Sequence, residues 1–490
     1  MKEQKMKLLR LVFLIACAAI LATVPVCWMF VRGPEFLVLE KRYRGKWPEF
    51  NAEMLSSGDW GKQVETWATD NMPARELLVG IDSYSQLFTG RQAAQKVILD
   101  KNGRLLEAPP LYSEKELERR LDKFIEFSEL VNKEVLILIP PTAGYSSKAA
   151  LPEHIWRCYN DDMLIEAVEE RLERVSSAEG GSSGGGVAGD SGSGAGGDSG
   201  GGATGGSSGG ATGDSGNRVG LIDLREAFLA AKEPLFYRTD HHWNGMGAYT
   251  AYIAICEEFG LDPLPVEAFT KSTNKGFYGS NYAVSGLWLT QPDEIEMWAP
   301  PCDVLVSFTS LEAINTVVSA GSGADSGEVY DSMFFTKHLS ERDQYPVFLD
   351  SNQPLTFIKN ISRNASGTAP IELPALADAA NIDAANIDAA NIGAANIGAA
   401  NIGADNIDAD NSTVNTDEKI LFIIKDSYAN SLIPLLIPHF DLIVAVDLRY
   451  FRTAVTELIY EIDLPDHGSP ILVVYSADHI VNDSNILWLR

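Results

Sequence analysis

Residues 420–440 read ILFIIKDSYANSLIPLLIPHF, and the fold is decided by how the opening run is understood. A continuous apolar segment of strand length carries no alternation, so it reads as a strand covered on both faces. It closes on Lys425-Asp426-Ser427, and helical spacing resumes near Tyr428-Ala429. Four other segments have the same character: EVLILIPP (134–141), VGLIDL (219–224), LIVAVDL (442–448) and ILVVYSA (471–477). Helical stretches separate most of them. Buried strands alternating with helices predict an α/β domain of three layers with a mostly parallel sheet. Ligands bind such sheets beyond the carboxyl ends of the strands. That rule makes neighbours of Pro140-Pro141-Thr142, Asp426-Ser427 and Asp447-Leu448-Arg449.

Outward from this sheet, residues Ser113 to Val131 have the pattern of a charged amphipathic helix, and residues 50–91 are mostly helical, with apolar positions at helical spacing from Trp67 through Leu87. Val97-Ile98-Leu99 followed by Asp100-Lys101-Asn102-Gly103 reads as a short strand and turn. Two insertions interrupt the plan. Residues 179–217 are almost entirely Gly, Ser, Ala, Thr and Asp, which bury too little apolar surface to offset chain entropy. Residues 378–411 repeat AANID and AANIG every five residues; the tract is too short for a stacked solenoid and reads as a surface loop. Neither is expected to carry chemistry.

The chain has 490 residues and a formal charge of -28, which would repel a phosphate backbone and so argues against a nucleic-acid partner. Lys2, Lys5, Lys7 and Arg10 precede an uncharged run from Leu11 to Val31, long enough to cross a hydrocarbon core of about 30 Å. Basic residues on the N-terminal side place that end inside and the bulk of the chain outside. Residues 1–33 are therefore expected to be a cytoplasmic tip and transmembrane signal-anchor, and residues 34–490 an extracytoplasmic domain. A cleaved signal peptide is the alternative, since Ala16-Cys17-Ala18 mimics a cleavage site inside the run. The five cysteines show no disulfide framework and no zinc spacing.

The chemistry is concentrated in YRTDHHWNGMGAY (237–249), in a chain with seven histidines. Asn244 reads as the N-cap of a helix that stops at Gly260, which leaves Asp240 to Trp243 in the segment entering it. In an extended segment side chains alternate, so Asp240 and His242 share a side and His241 faces away. A carboxylate two residues from an imidazole can accept its N–H and fix its tautomer, making His242 the better general base. A histidine satisfied structurally is the plain alternative. Ser427, at a strand-to-helix turn, is placed as a nucleophile would be, with backbone N–H groups beside it. Serine also simply caps helices there. Ser431 is the fallback nucleophile, one turn into the helix.

These motifs resemble those of the DHHW proteins, relatives of the SGNH-hydrolase-like domain of alginate O-acetyltransferases. The resemblance rests on YRTDHHWNGMGAY, on DNMPARE (70–76), on FYGSNYAVSG (277–286), on YPVFLDSNQPLTFIKN (345–360), and on the whole of residues 419–451. It implies an SGNH-hydrolase-like, flavodoxin-like domain with an Asp240, His242, Ser427 triad. His241 falls in the family's variable position. Two departures stand out: Lys425 replaces the glycine of the better-known Gly-Asp-Ser block, and the glycine and asparagine blocks of the oxyanion hole are not recognisable. The Ser427 N–H is the firm oxyanion donor candidate, and the Asn430 side chain a second. Tyr278 and Gly279 are candidates for the mouth of the site, and Arg449 for an anionic ligand, with an ion pair to Asp447 as its plain alternative.

The expected function is a membrane-anchored O-acyltransferase, with acetyl the expected group, or an esterase, acting on cell-surface polysaccharide without a cofactor. By resemblance, a multi-pass membrane acyltransferase is the partner that delivers the acyl group. The competing readings are a non-catalytic surface scaffold and a metal-dependent hydrolase using Asp240, His241 and His242. For the second, no His-x-His or His-Glu-x-x-His spacing exists among the other histidines.

Overall fold

The structure is a computed structural model and describes residues 10–19, 22, 23, 36, 37, 42–50, 52–72, 74–111, 113–180, 219–308, 329–363, 419–462, 464 and 470–490. The repeat tract and all but residues 179 and 180 of the Gly/Ser-rich insertion lie outside these. Residues 10–19 are helical, with Leu11 to Ile15 exposed. No helix among the described residues is long and apolar enough to cross a membrane. The expected span of Leu11–Val31 is described only at 11–19, 22 and 23, so a spanning helix is not among the observed elements.

The centre of the molecule is an eight-stranded sheet. Its strands, in chain order, are β1 (Val135–Leu138), β2 (Val219–Ile222), β3 (Val304–Ser307), β4 (Val329–Tyr330), β5 (Leu355–Asn360), β6 (Ile420–Lys425), β7 (Leu442–Val446) and β8 (Ile471–Val474). Their spatial order is β4-β3-β5-β7-β6-β8-β1-β2. The five strands expected from continuous apolar runs, β7, β6, β8, β1 and β2, are mutually parallel and contiguous. Beyond β7 the sheet continues antiparallel through β5, β3 and β4. The sheet is therefore mixed, which corrects the mostly parallel expectation. The three added strands are short or interrupted by polar letters: β5 reads LTFIKN, yet Thr356, Lys359 and Asn360 are all buried. Burial without apolar sequence removed the signal.

Side-chain alternation sorts the parallel strands into two cores. Leu136, Leu138, Leu421, Ile423, Leu472 and Val474 face one side, against helices α3 (Gly245–Glu258) and α5 (Ala429–Leu436). Val135, Ile137, Phe422, Ile424, Ile471 and Val473 face the other, against α1 (Glu114–Val131) and α2 (Asp161–Gly180). This is the expected three-layer arrangement. A fully buried side chain such as Phe422 contributes on the order of 3 kcal/mol, and an unpaired charge in its place would be strongly destabilising.

Three features of this frame aim the site. First, β6 runs at the middle of the sheet and ends at Lys425, which leaves Ser427 in the turn between it and α5. Second, the Asn244 side chain caps α3 by accepting from Gly247 N, which fixes the loop carrying DHHW. Third, a hairpin of Thr270–Phe277 and Asp293–Ala299 leads through Gly279 into helix α4 (Ser280–Ser285), and this unit packs on that loop.

Candidate active site

Asp240 to Trp243 form a tight bend, not an extended run. A bridge between Phe236 and Trp243 closes it, with Tyr237 N donating to His242 O at 3.2 Å. Inside the bend, Asp240 Oδ1 accepts from His242 N at 2.9 Å and from His242 Nδ1 at 2.5 Å. The pairing of Asp240 with His242 thus arises from an Asx-type turn rather than from strand alternation. Consistent with that, His241 does not face away: its ring lies 3.8 Å from that of His242, while its Nδ1 meets Ser280 Oγ at 2.6 Å.

From the other side comes the serine. His242 Nε2 lies 2.7 Å from Ser427 Oγ, so the three side chains of Asp240, His242 and Ser427 form one hydrogen-bonded line. All three are buried, Ser427 being 8 % exposed. With Nδ1 donating to the carboxylate, Nε2 is left as the acceptor for the hydroxyl proton. Asp240 is held ionised: burial pushes its pKa up, but the charges of His242 and His241 and its N–H donors, Ser280 N among them at 2.7 Å, bring it well below the usual carboxylate range.

Neighbouring groups fix this line on every side. Tyr345 stacks on the His242 ring at 3.7 Å between centroids and 10° between planes, and its hydroxyl donates to Ser427 O at 3.3 Å. The Tyr428 hydroxyl donates to His241 O at 2.6 Å. Gly279 lies so close that a Cβ there would stand 2.2 Å from Asp240 Cβ. Behind the serine, buried Asp426 accepts from Tyr428 N at 2.9 Å, Ser476 N at 2.8 Å and His479 Nδ1 at 2.8 Å. Burial would raise the Asp426 pKa, but the hydrogen bond and charge of His479 hold it below the ordinary value.

The remaining candidates divide between groups that face the serine and groups held by other partners. Ser431 Oγ accepts from Trp243 Nε1 at 2.9 Å, tying the DHHW loop to α5 and away from His242 as a nucleophile. The Asn430 amide does not point its hydrogens at the site as an oxyanion donor. They go to Ser351 O at 3.4 Å and Asn352 Oδ1 at 3.2 Å, because Lys425 Nζ already donates to its oxygen at 2.8 Å. Among the described residues no acceptor takes the Ser427 N–H, so that donor remains available. Arg449 is no free anion receptor: its guanidinium grips buried Asp447 at 2.8 and 2.6 Å. Tyr278 packs on Tyr282 at 4.3 Å between ring centroids, and Gly279 acts through Asp240 rather than as a lining residue.

Asp240, His241 and His242 offer ligand atoms within 4.8 Å of one another. Both ring nitrogens of His242 are engaged, however, one by Asp240 and one by Ser427. A cation there would have to displace one of these bonds, so the donor set fits proton relay better than metal ligation.

The residues that sequence reasoning missed are Tyr345, Ser280, Asp293 and His479. Asp293 binds Arg238 N and Thr239 N, both at 2.7 Å, and so carries the approach to the bend. Tyr345 and Ser280 sit inside the quoted motifs YPVFLDS and FYGSNY. Nothing in the local pattern marked Asp293 or His479.

The mixed α/β sheet presents Ser427 just past the carboxyl end of a middle strand, facing His242 from a separate loop. Residues 215–277 match the family described as SGNH hydrolase-like domain, acetyltransferase AlgX, and the chain is related to it. A DHHW family protein from Eubacterium siraeum has the same fold, at 18% identity and a TM-score of 0.51, over 81% of this chain and 95% of that one. PatB1 of Bacillus cereus, in a structure with a sulfonyl adduct, aligns at 15% identity and a TM-score of 0.48, over 80% of this chain and 98% of that one. The O-acetyltransferase domain of AlgJ from Pseudomonas putida aligns at 12% identity and a TM-score of 0.32, over 79% and 92%. No curated protein sequence matches the chain.

Proposed function

We propose that the protein is a serine-dependent O-acyltransferase or esterase that handles acetyl groups on cell-surface polysaccharide. The observation that carries this reading is the 2.7 Å separation of Ser427 Oγ from His242 Nε2, with Asp240 on the opposite ring nitrogen. In the proposed reaction Ser427 Oγ attacks the acyl carbonyl carbon and its proton passes to His242 Nε2. The C–O bond to the donor alcohol then breaks, and the His242 proton leaves with that alcohol. A sugar hydroxyl or water repeats the steps in reverse, giving transfer or hydrolysis and restoring free serine. Asp240 keeps the imidazole in the accepting tautomer and stabilises its charged form. The unengaged Ser427 N–H is the donor for the developing oxyanion.

The match of residues 215–277 to the AlgX acetyltransferase domain supports acetyl as the group, and the polysaccharide acceptor rests on the resemblance of the quoted motifs to alginate O-acetyltransferases. The basic N-terminus and apolar run of Leu11–Val31 support a single-pass anchor with the domain outside the membrane. A multi-pass acyltransferase supplying the acyl group is the proposed partner. The test is labelling by a serine-reactive phosphonate. Wild type is expected to label and Ser427→Ala to lose the label while keeping its fold. A folded wild type that resists labelling overturns the reading. Partitioning of a radiolabelled acetyl between an oligosaccharide and water then separates transferase from esterase.

A further inference from the structure

Lys425 stands where the better-known hydrolases of this type have glycine, and it is one of the largest fully buried side chains, 1 % exposed. A buried cation needs a stated use, since burial without partners is costly. Its Nζ donates to Asn430 Oδ1 at 2.8 Å and lies 4.0 Å from Asp447 Oδ2. An ammonium can only donate, so the Asn430 oxygen must be the accepting end of that amide. Its NH2 therefore points onward, to Ser351 O and Asn352 Oδ1. Asn352 in turn receives with its oxygen. One buried charge thus sets the polarity of two successive amides.

The receiving segment is unusual. Leu349, Asp350 and Ser351 have φ of 54°, 52° and 79°, three consecutive non-glycine residues in the left-handed region. Each such residue is strained and persists only where surrounding contacts over-determine it. Those contacts are Leu349 N to Met333 O at 2.9 Å, Ser351 N to Pro346 O at 3.2 Å, and the Asp350 carboxylate with His338 and Lys337. The same segment begins at Tyr345, which stacks on His242 and reaches the Ser427 carbonyl. Residues 345–352 therefore form a wall that touches the imidazole at one end and the first turn of α5 at the other.

We propose that Lys425 is a positioning residue, which, through Asn430, fastens the left-handed wall of residues 345–352 against the Ser427 turn. This deepens the proposed serine chemistry and rests on it for its effect on rate. The wall supplies the ring that stacks on His242, and loosening it lets the imidazole drift from the serine hydroxyl. Misplacement of this kind slows a reaction about ten- to a hundredfold. The charged groups around Lys425 are Asp447, Arg449 and Asp426, and burial together with Arg449 brings its pKa down to about 8 against the pull of the two aspartates. A neutral amine can accept as well as donate, so loss of the proton would release the fixed polarity.

The test compares wild type with Lys425→Met, Asn352→Leu and the double variant. Hydrogen exchange is followed by mass spectrometry over residues 345–352 and over β6, alongside the rate of Ser427 labelling by the phosphonate. The expected result is faster exchange in the wall with unchanged protection in β6, and labelling slowed about tenfold in each single variant. The double variant is expected to be no slower than the worse single one, because both break the same relay. Wild-type labelling is also expected to fall, relative to Lys425→Met, as pH passes about 8. Unchanged exchange in the wall, or single-variant effects that multiply, overturns the proposal. Should wild type resist labelling, the serine reading fails alone, and the exchange measurement still decides the role of Lys425. Asn352→Leu guards against a Lys425→Met chain that does not fold, since Asn352 lies outside the buried sheet.

Discussion

Ser427 Oγ and His242 Nε2 stand 2.7 Å apart although 185 positions separate them in the chain. The serine is delivered by a rigid strand in the middle of the sheet, and the histidine by an Asx-type bend braced from three sides. Reach between the two depends on how well each support is held, and this makes individual supports testable.

Asp240→Asn should leave the fold intact and abolish most of the activity. His242 N and Nδ1 share one acceptor, Oδ1, and Ser280 N takes Oδ2, so an amide must turn its NH2 toward one of these donors. In the place of Oδ1 the NH2 faces Nδ1 and favours the tautomer with the proton on Nε2. That nitrogen then cannot take the Ser427 proton. A loss of about 10³- to 10⁴-fold in kcat is expected, measured as hydrolysis of an activated acetyl ester, with a thermal transition close to wild type. Retained activity in a folded variant would remove Asp240 from the relay.

Gly279→Ala should act on the same carboxylate from behind. The added Cβ would lie 2.2 Å from Asp240 Cβ and 2.3 Å from Asp240 Oδ2. The backbone φ of -86° imposes no strain on alanine, so the whole effect is steric. Overpacking of this kind costs about 1–3 kcal/mol, and the displaced carboxylate should lower kcat at least about tenfold. Urea unfolding and ester hydrolysis together measure it. A variant with normal kcat would mean that the carboxylate shifts without moving His242.

Tyr345 offers a separable pair of contacts. Tyr345→Phe keeps the ring on His242 and loses the hydroxyl's hydrogen bond to the Ser427 carbonyl and its longer contact with Ser431 Oγ at 3.5 Å, a loss of about 1 kcal/mol in stability. Tyr345→Leu loses the stacking as well. Near-normal activity is expected for the first and a clear drop in kcat for the second. Equal loss in both would shift the role from the ring to the hydroxyl.

The parallel half of the sheet was legible because a fully buried strand writes its burial in the letters themselves, as in ILFII and LIVAV. The antiparallel half was not, since β5 buries threonine, lysine and asparagine, and β4 is two residues long. At the site, Asp240, His242 and Ser427 were nameable from residue type and position. Alternation in an extended segment is not what pairs Asp240 with His242; a tight turn joins them. Asn430 misled because side-chain type says nothing of partners: Lys425 had already claimed its oxygen. For Arg449 the plain alternative holds, an ion pair to Asp447. Supports from distant segments, such as Asp293 and His479, become visible only once the chain is folded.

His479 gives the pH prediction. Its Nδ1 lies 2.8 Å from Asp426 Oδ2, and Asp426 in turn holds Tyr428 N beside the serine. Burial lowers the His479 pKa, but the hydrogen bond and charge of Asp426 outweigh it, and the net shift is upward from 6.5. A raised folded value means the imidazolium is stabilised by folding. Its contribution is fully present below pH 6.5 and is lost as pH climbs through the higher folded value. Asp426 shifts the opposite way, so its own contribution is present above the ordinary carboxylate value near 3.8 and is lost only at lower pH. Between those limits the pair is at full strength. Wild type should therefore exceed His479→Gln in urea-unfolding stability most below about pH 6.5, with the gap narrowing as pH rises above it. A gap that is constant across this range would show that His479 supports the turn by packing and neutral hydrogen bonding, without its charge.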